Sequence, residues 1–486
     1  MACLLKERCD VGFNKLLCSS FRRRPSSSSS RPRPLDSSFR RRPETSIYKS
    51  ALDSGLRRND TKGGIHWLPT RLLASSLFLI STAATAAIDT AITINNEWSY
   101  STDENNTEKS ETTIKPEIEI DLSQEIKLTA IGRIRNDTKD NIDVDDDIDA
   151  ELREFYIETS IGRSFLTIGK QQVVWGKADG LKVLDVVNPQ EWREFILDDF
   201  DDARIPLWSI NSEIPIDDVT LQLLWLPDQT YHEYAEGDDA YRFTSPLLVP
   251  QPPPGVAVSM QAADKPDRTL QDADWGARLS TFWNGWDLTF NYLDHYDDRP
   301  VLFRQLSMTP NGPVATITPR YQRSQLIGSS FSSAFGDLTL RGEVGYVIDR
   351  YISTNAISDA DGVVKTDELS YVLGLDWFGL SDTLISTQLF QSQLSNHQPG
   401  MLRDQRDTTM TFLVKRDFNN ETVTTELLWL HNLDLDDGLA RPKVTYQMNN
   451  SVTLSLSADI FYGDQTGLFG QFKNRNRVIS TIEIAF

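Results

Sequence analysis

Cysteine is nearly missing from this chain of 486 residues: Cys3, Cys9 and Cys18 are its whole complement, and all fall before residue 87. The rest of the chain therefore has no disulfide scaffold, no thiolate metal site and no cysteine nucleophile. Histidine is also scarce beyond that point, where His232, His295, His397 and His431 stand outside any recognisable nucleophile or metal motif. Basic charge is short as well. Residues 1–87 hold 16 of the 49 Lys and Arg but 6 of the 70 Asp and Glu, which leaves 33 basic against 64 acidic residues. Such an acidic body argues against nucleic acid, whose phosphates demand a basic footprint. Finally, no apolar run beyond Ala87 approaches the ~20 residues of a membrane-spanning helix.

What is present begins with a segment to set aside. FRRRP occurs at 21–25 and again at 39–43, and LDSSFRRRP is echoed by LDSGLRRND, around a run of serines. Residues 1–64 resemble a translated genomic repeat annexed to the reading frame, or else a disordered basic arm, since Arg/Ser-rich sequence cannot bury a core. Residues 65–87 then read as a secretory signal: a short basic region at Arg71, the apolar run LLASSLFLISTAATAA, and small residues Ala84-Thr85-Ala86 before cleavage.

From 88 to 486 the recurring pattern is alternation. Leu338, Leu340, Val344, Tyr346 and Ile348 share one face while Thr339, Arg341 and Glu343 point the other way, and Val452 to Tyr462 repeat the pattern. Segments of about 10–12 residues with one apolar and one polar face predict tilted strands between lipid and water. Compact turns are expected at Ser123-Gln124, Gly162-Arg163, Ile216-Asp217, Asn284-Gly285, Gly336, Gly379 to Asp382, Asn419-Asn420 and Asn449-Asn450. These eight hairpins plus one strand before and one after give 18 strands, with 16 possible. The fold predicted is all-β, a transmembrane antiparallel β-barrel with both termini at one end. Nine longer connections remain, roughly 102–110, 137–151, 175–205, 228–274, 294–318, 349–368, 393–407, 432–440 and 463–474. The final strand alternates Val478, Ser480, Ile482, Ile484, Phe486, and its terminal aromatic looks like the signal by which such barrels meet their assembly machinery.

The run Ile168-Gly169-Lys170-Gln171-Gln172-Val173-Val174-Trp175-Gly176-Lys177, with Asn188-Pro189 and Arg204-Ile205-Pro206 after it, resembles a family of uncharacterised proteobacterial outer-membrane barrels grouped under a domain of unknown function. A more distant similarity is to alginate-export barrels. The resemblance implies an outer-membrane channel or transport component and carries no catalytic residues.

Candidate lumen residues follow from the pattern. Lys115, Glu117, Glu119 and Asp121 share a face next to Lys127, Arg133 and Arg135 on the following strand, an inward charge ladder. Connection 175–205 is too long for a passive turn. It holds Trp175, Lys177, Asp179, Arg193, Asp198, Asp199, Asp201 and Asp202, ending at Arg204, and with Lys170 it supplies the constriction candidates. Asp143, Asp145, Asp147, Asp149 and Glu154 have calcium-loop spacing, but Ile148 occupies the glycine position and no entering helix precedes them, so no metal is assigned. No cofactor and no catalytic residue is expected.

The function expected is a passive channel for small solutes with cation preference. The alternatives are a substrate-specific barrel for a hydrophobic or anionic polymer, served by TYHEYAEGDDAYRF and VPQPPPG in connection 228–274, and, less favoured, an embedded hydrolase or an adhesive barrel. Expected partners are outer-membrane lipid and lipopolysaccharide, and the assembly machinery through Phe486.

Overall fold

The computed structural model describes residues 87–139, 142, 148–178, 181–252 and 254–486. Both N-terminal segments, the repeat-like tract and the secretory signal, lie outside the described residues, as do Asp143, Asp145, Asp147 and Asp179.

Eighteen antiparallel strands close into one barrel. The first six are β1 (Ala87–Ser101), β2 (Asn106–Asp121), β3 (Ile126–Asp137), β4 (Ile148–Ile161), β5 (Ser164–Gln171) and β6 (Leu207–Ile216). Then come β7 (Val219–Leu226), β8 (Asp274–Trp283), β9 (Trp286–Tyr296), β10 (Arg323–Phe335), β11 (Leu338–Ser353) and β12 (Val363–Leu380). The last are β13 (Thr383–Leu394), β14 (Arg406–Phe418), β15 (Val423–Asn432), β16 (Asp437–Asn449), β17 (Val452–Tyr462) and β18 (Arg477–Ala485). Closure is between β1 and β18, from Thr93 opposite Ala485 to Ser101 opposite Arg477.

Polarity shows which solvents the wall separates. Leu456 and Ile460 of β17 are exposed while Asp459 between them is fully buried, and on β11 Val344 is exposed beside buried Glu343. Exposed apolar residues recur around the outside, as at Ile92, Ile118, Ile134, Ile157 and Leu373, while Thr289, Ser330, Thr411 and Asn432 are buried inside. A water-soluble sandwich has the reverse arrangement; apolar outside and polar inside is that of a barrel in lipid.

All eight compact turns fall where the sequence puts them, and their backbone explains why. Asn284 and Gly285 both have positive φ, 49° and 86°, which a two-residue hairpin turn demands, and Trp283 sits opposite Trp286 across it. Asp217, Gly336, Asp382 and Asn419 likewise take positive φ. Several expected connections are shorter than read. The chain between β1 and β2 spans only 102–105, and between β15 and β16 only 433–436, because both pairs stay hydrogen-bonded beyond the apolar belt. The connection after β9 is not irregular: Val301–Thr309 and Gly312–Arg320 form a hairpin, and Ala257–Met260 of the preceding connection adds a parallel third strand.

Candidate functional site

Between β5 and β6 the chain leaves the wall for residues 172–206, and the side chains of this segment bury themselves against the inner surface of the barrel. Trp175 and Leu184 are fully buried, and Val173, Val183 and Val187 pack with them on Leu207, Leu224, Leu226, Leu293, Leu326, Val372 and Phe390. These wall residues occupy inward positions where the rest of the barrel carries polar groups. Further on, Trp192, Phe195, Ile196 and Leu197 join a second cluster with Tyr241, Phe243 and Leu248 from the connection after β7 and with Phe461, Phe469 and Phe472.

Polar anchors fix the path. Asn188 ties the neck, accepting from Val173 N–H at 2.7 Å and donating to the Ile205 carbonyl at 2.9 Å. Trp175 Nε1 donates to Gln222 of β7 at 2.9 Å. The Glu343 carboxylate of β11 receives the backbone N–H groups of Lys177, Ala178 at 2.8 Å and Leu184 at 3.0 Å, so one wall side chain satisfies three loop donors. On the return, Arg153 of β4 donates to the carbonyls of Asp201, Asp202 and Arg204 at 2.8, 3.1 and 2.7 Å.

A charge network crosses from the segment to the opposite wall. Glu194 pairs with Lys109 of β2 and with Arg477 of β18 at 2.7 Å. Glu191 pairs with Arg133 at 2.8 Å and Arg135 at 2.6 Å, both on β3, and Arg193 with Glu111 at 2.7 Å. Burial alone would raise the Glu191 and Glu194 carboxyls, but the surrounding cations overcome it and hold both well below the usual carboxylate range. Asp198, half-buried, is pushed up to about 6 by desolvation and by the charge of Glu194.

The sequence candidates separate into groups. Arg133, Arg135 and Arg193 belong to this network. Trp175 and Lys177 lie at the start of the segment, with Lys177 Nζ 2.5 Å from Asp287. Arg204 bonds Asp185 at 2.9 Å and Asp201 at 2.8 Å, and Asp202 pairs with Lys115. Asp198 and Asp199 border open space. Lys127 pairs with Glu119 at 2.5 Å near the turn end, away from the segment. Lys170 is a correction: it shares the outward face of β5 with exposed Ile168, opposite Phe155 of β4, and its Nζ donates to the Leu152 carbonyl at 2.8 Å. Glu191, Glu194, Lys109, Glu343, Arg153 and Arg477 were not among the sequence candidates. The available signal was the apolar residues at inward positions, Leu224 and Leu226 of β7 and Leu293 of β9, which mark a wall that something covers.

Two cavities flank the segment. One, of about 250 Å³, lies at the loop end and has Leu181, Val183, Leu326, Val347 and Phe390 in its lining. The other, of about 210 Å³, runs along β1–β3 and β15–β18. Most charges in the second cavity are paired, but among the described residues Asp198, Asp199, Glu426 and Glu483 form no ion pair, against a single such cation, Lys443.

The family model described as "Protein of unknown function (DUF1302)" matches residues 75–486. No curated protein matches in sequence. Among solved structures, the chain is similar to Acinetobacter baumannii OccAB3, with 10% identity, TM-score 0.48, and coverage of 82% of this chain and 99% of that one. It is also similar to Pseudomonas aeruginosa OccK2 (OpdF) in complex with glucuronate, at 12% identity and TM-score 0.47, covering 82% and 97%. Salmonella typhi OmpF in complex with daunomycin follows at 8% identity and TM-score 0.40, covering 82% and 97%.

Proposed function

The chain belongs to the DUF1302 family, and on that premise we propose that it is an outer-membrane channel for passive passage of small solutes, preferring cations. The observation that supports this best is the pairing of an inverted-polarity barrel with a segment laid across its interior. A barrel this wide would otherwise hold an open aqueous lumen. A segment anchored on β2, β4, β11 and β18 narrows that lumen while leaving open space on both sides of it.

In this reading residues 172–206 are the constriction, with Arg133, Arg135, Trp175, Lys177, Arg193, Asp198, Asp199, Asp201, Asp202 and Arg204 in or around it. Cation preference rests on the unpaired carboxylates Asp198, Asp199, Glu426 and Glu483, whose field a low-dielectric wall concentrates. Asp201 and Asp202 contribute less than their number suggests, since Arg204 and Lys115 neutralise them. The long connections face outward from the cell, lipopolysaccharide surrounds the apolar belt, and Phe486 is the handle for barrel assembly.

Reconstitution tests the proposal. Purified protein added to a planar lipid bilayer should give discrete, reproducible conductance steps. Membranes that stay electrically silent, while the protein is shown by heat-modifiable gel migration to be folded and inserted, would overturn it.

A further inference from the structure

The loop-end cavity has on its lining two charged residues that, among the described residues, no ion pair holds. Most charges lining it are spoken for. Arg350 pairs with Asp297 at 2.7 Å and with Glu368 at 3.2 Å, Arg403 pairs with Glu368 at 2.8 Å, and Lys182 with Asp185 at 2.7 Å. Two neighbours in the connection after β9 are different. Asp298 and Arg299 both line the cavity, yet among the described residues neither side chain makes an ion pair or a hydrogen bond. The Arg299 Nε is buried without a partner. Their backbone is held in place, with the Asp298 carbonyl accepting from His232 N–H at 3.3 Å and Arg299 N–H donating to the Asp297 carboxylate at 3.3 Å. Burial acts on both heads, raising the Asp298 carboxyl well above its ordinary range and lowering the Arg299 guanidinium to about 10.

A carboxylate and a guanidinium this close in sequence would ordinarily satisfy one another or reach water, because a desolvated charge without a partner is strongly unfavourable. Here both half-buried residues line the same partly open space. A ligand with one charge satisfies one head and leaves the other bare; a ligand with both satisfies both. The remaining lining sets the rest of its character. Leu181, Val183 and Val186 from the segment face Leu326, Val347 and Phe390 from the wall, an apolar surface with no use for a wholly hydrophilic solute. At about 250 Å³ the space is below the ~300–1,000 Å³ of drug-sized sites, so the ligand is small.

We propose that the loop-end cavity binds a small zwitterion with an apolar body, of the α-amino-acid kind, its carboxylate received by Arg299 and its ammonium by Asp298. In a channel this is a station before the constriction, and the site is independent of whether current flows.

The test is ligand-observed NMR titration of the purified full barrel in detergent micelles with three probes of one shape: L-leucine, 4-methylpentanoate, which lacks the ammonium, and 3-methylbutylamine, which lacks the carboxylate. Leucine should bind at least tenfold more tightly than either analogue. Arg299→Gln should weaken leucine and 4-methylpentanoate while sparing 3-methylbutylamine, and Asp298→Asn should do the converse. Leucine binding no tighter than one of its analogues overturns the proposal, and this comparison on the unsubstituted protein holds even if a variant fails to fold. Variants that weaken all three probes alike, or none, overturn it too. Because binding is read without transport, conductance without leucine binding removes this site alone, and leucine binding without conductance removes the channel alone.

Discussion

Glu194, on the segment that crosses the lumen, accepts a hydrogen bond from Arg477 of the last barrel strand at 2.7 Å, and both side chains are almost wholly buried. The same carboxylate also holds Lys109 of β2, so it joins the segment to the two strands that flank β1 at the barrel seam. Removing it leaves Lys109 and Arg477 buried with one countercharge fewer. Breaking a buried pair from one side costs about 3–5 kcal/mol. Glu194→Ala is expected to loosen the segment, and single-channel recordings should show larger and noisier steps than the unsubstituted protein. An unchanged trace would mean that the apolar anchors alone hold the path.

Those apolar anchors can be tested separately at a glycine. A Cβ at Gly276 of β8 would lie 2.8 Å from the Trp175 ring, and one at Gly328 of β10 would lie 2.2 Å from the Leu184 side chain. Neither glycine has a positive φ; what each provides is room for the segment to approach the wall. Gly276→Val or Gly328→Val should displace the segment, raise mean conductance, and leave heat-modifiable migration intact because the ladder hydrogen bonds are untouched. A fall in conductance would indicate that the displaced residues swing into the open path instead.

Much of this architecture is legible in the sequence. Asn284-Gly285, Gly336 and Asn419-Asn420 punctuate the alternation so sharply that strand number and turn positions follow from local chemistry. Contacts far apart in sequence are another matter. Nothing near Glu194 announces that its partners are 85 and 283 residues away, at Lys109 and Arg477. Lys170 was misread because Gly169 and Gln171 give no apolar contrast to reveal which side of β5 faces water. Asp202 leaves the acidic cluster by pairing with Lys115 of β2, which spacing along one segment cannot show, whereas its neighbour Asp201 pairs with Arg204 only three residues on.

Asp198 gives a pH dependence. Held at about 6 by burial and by Glu194, it gains its charge well above the ordinary aspartate range near ~4. Cation preference should therefore weaken as pH falls from 7.5 through 6 to 5, and Asp198→Asn should flatten that step. The linkage has the opposite sign for stability. The folded state holds this proton more tightly than the unfolded chain, so the group favours folding below about pH 4 and that contribution is lost as pH rises through about 6. A selectivity profile with the same step in Asp198→Asn would assign the titration elsewhere.

Phe486 closes the seam with two backbone hydrogen bonds to Ile92, donating at 3.0 Å and accepting at 3.3 Å, while its side chain is 73% exposed. Two closing bonds are a small part of an 18-stranded ladder, and the proposed reading gives the exposed ring a role in assembly. Deleting Phe486 should reduce the yield of heat-modifiable barrel in outer membranes while sparing refolding from denaturant into detergent. Equal losses in both would make the residue purely structural.

The central claim is that the open path through the barrel is lined by more unpaired carboxylate than unpaired cation. The reversal potential in a KCl gradient across a planar bilayer tests it most directly. The account predicts the cation-selective sign, moving toward zero when Asp199→Asn, Glu426→Gln and Glu483→Gln are combined. A reversal potential of the anion-selective sign in the unsubstituted protein would contradict it, and would give control of the path to Arg133, Arg135 and Arg193.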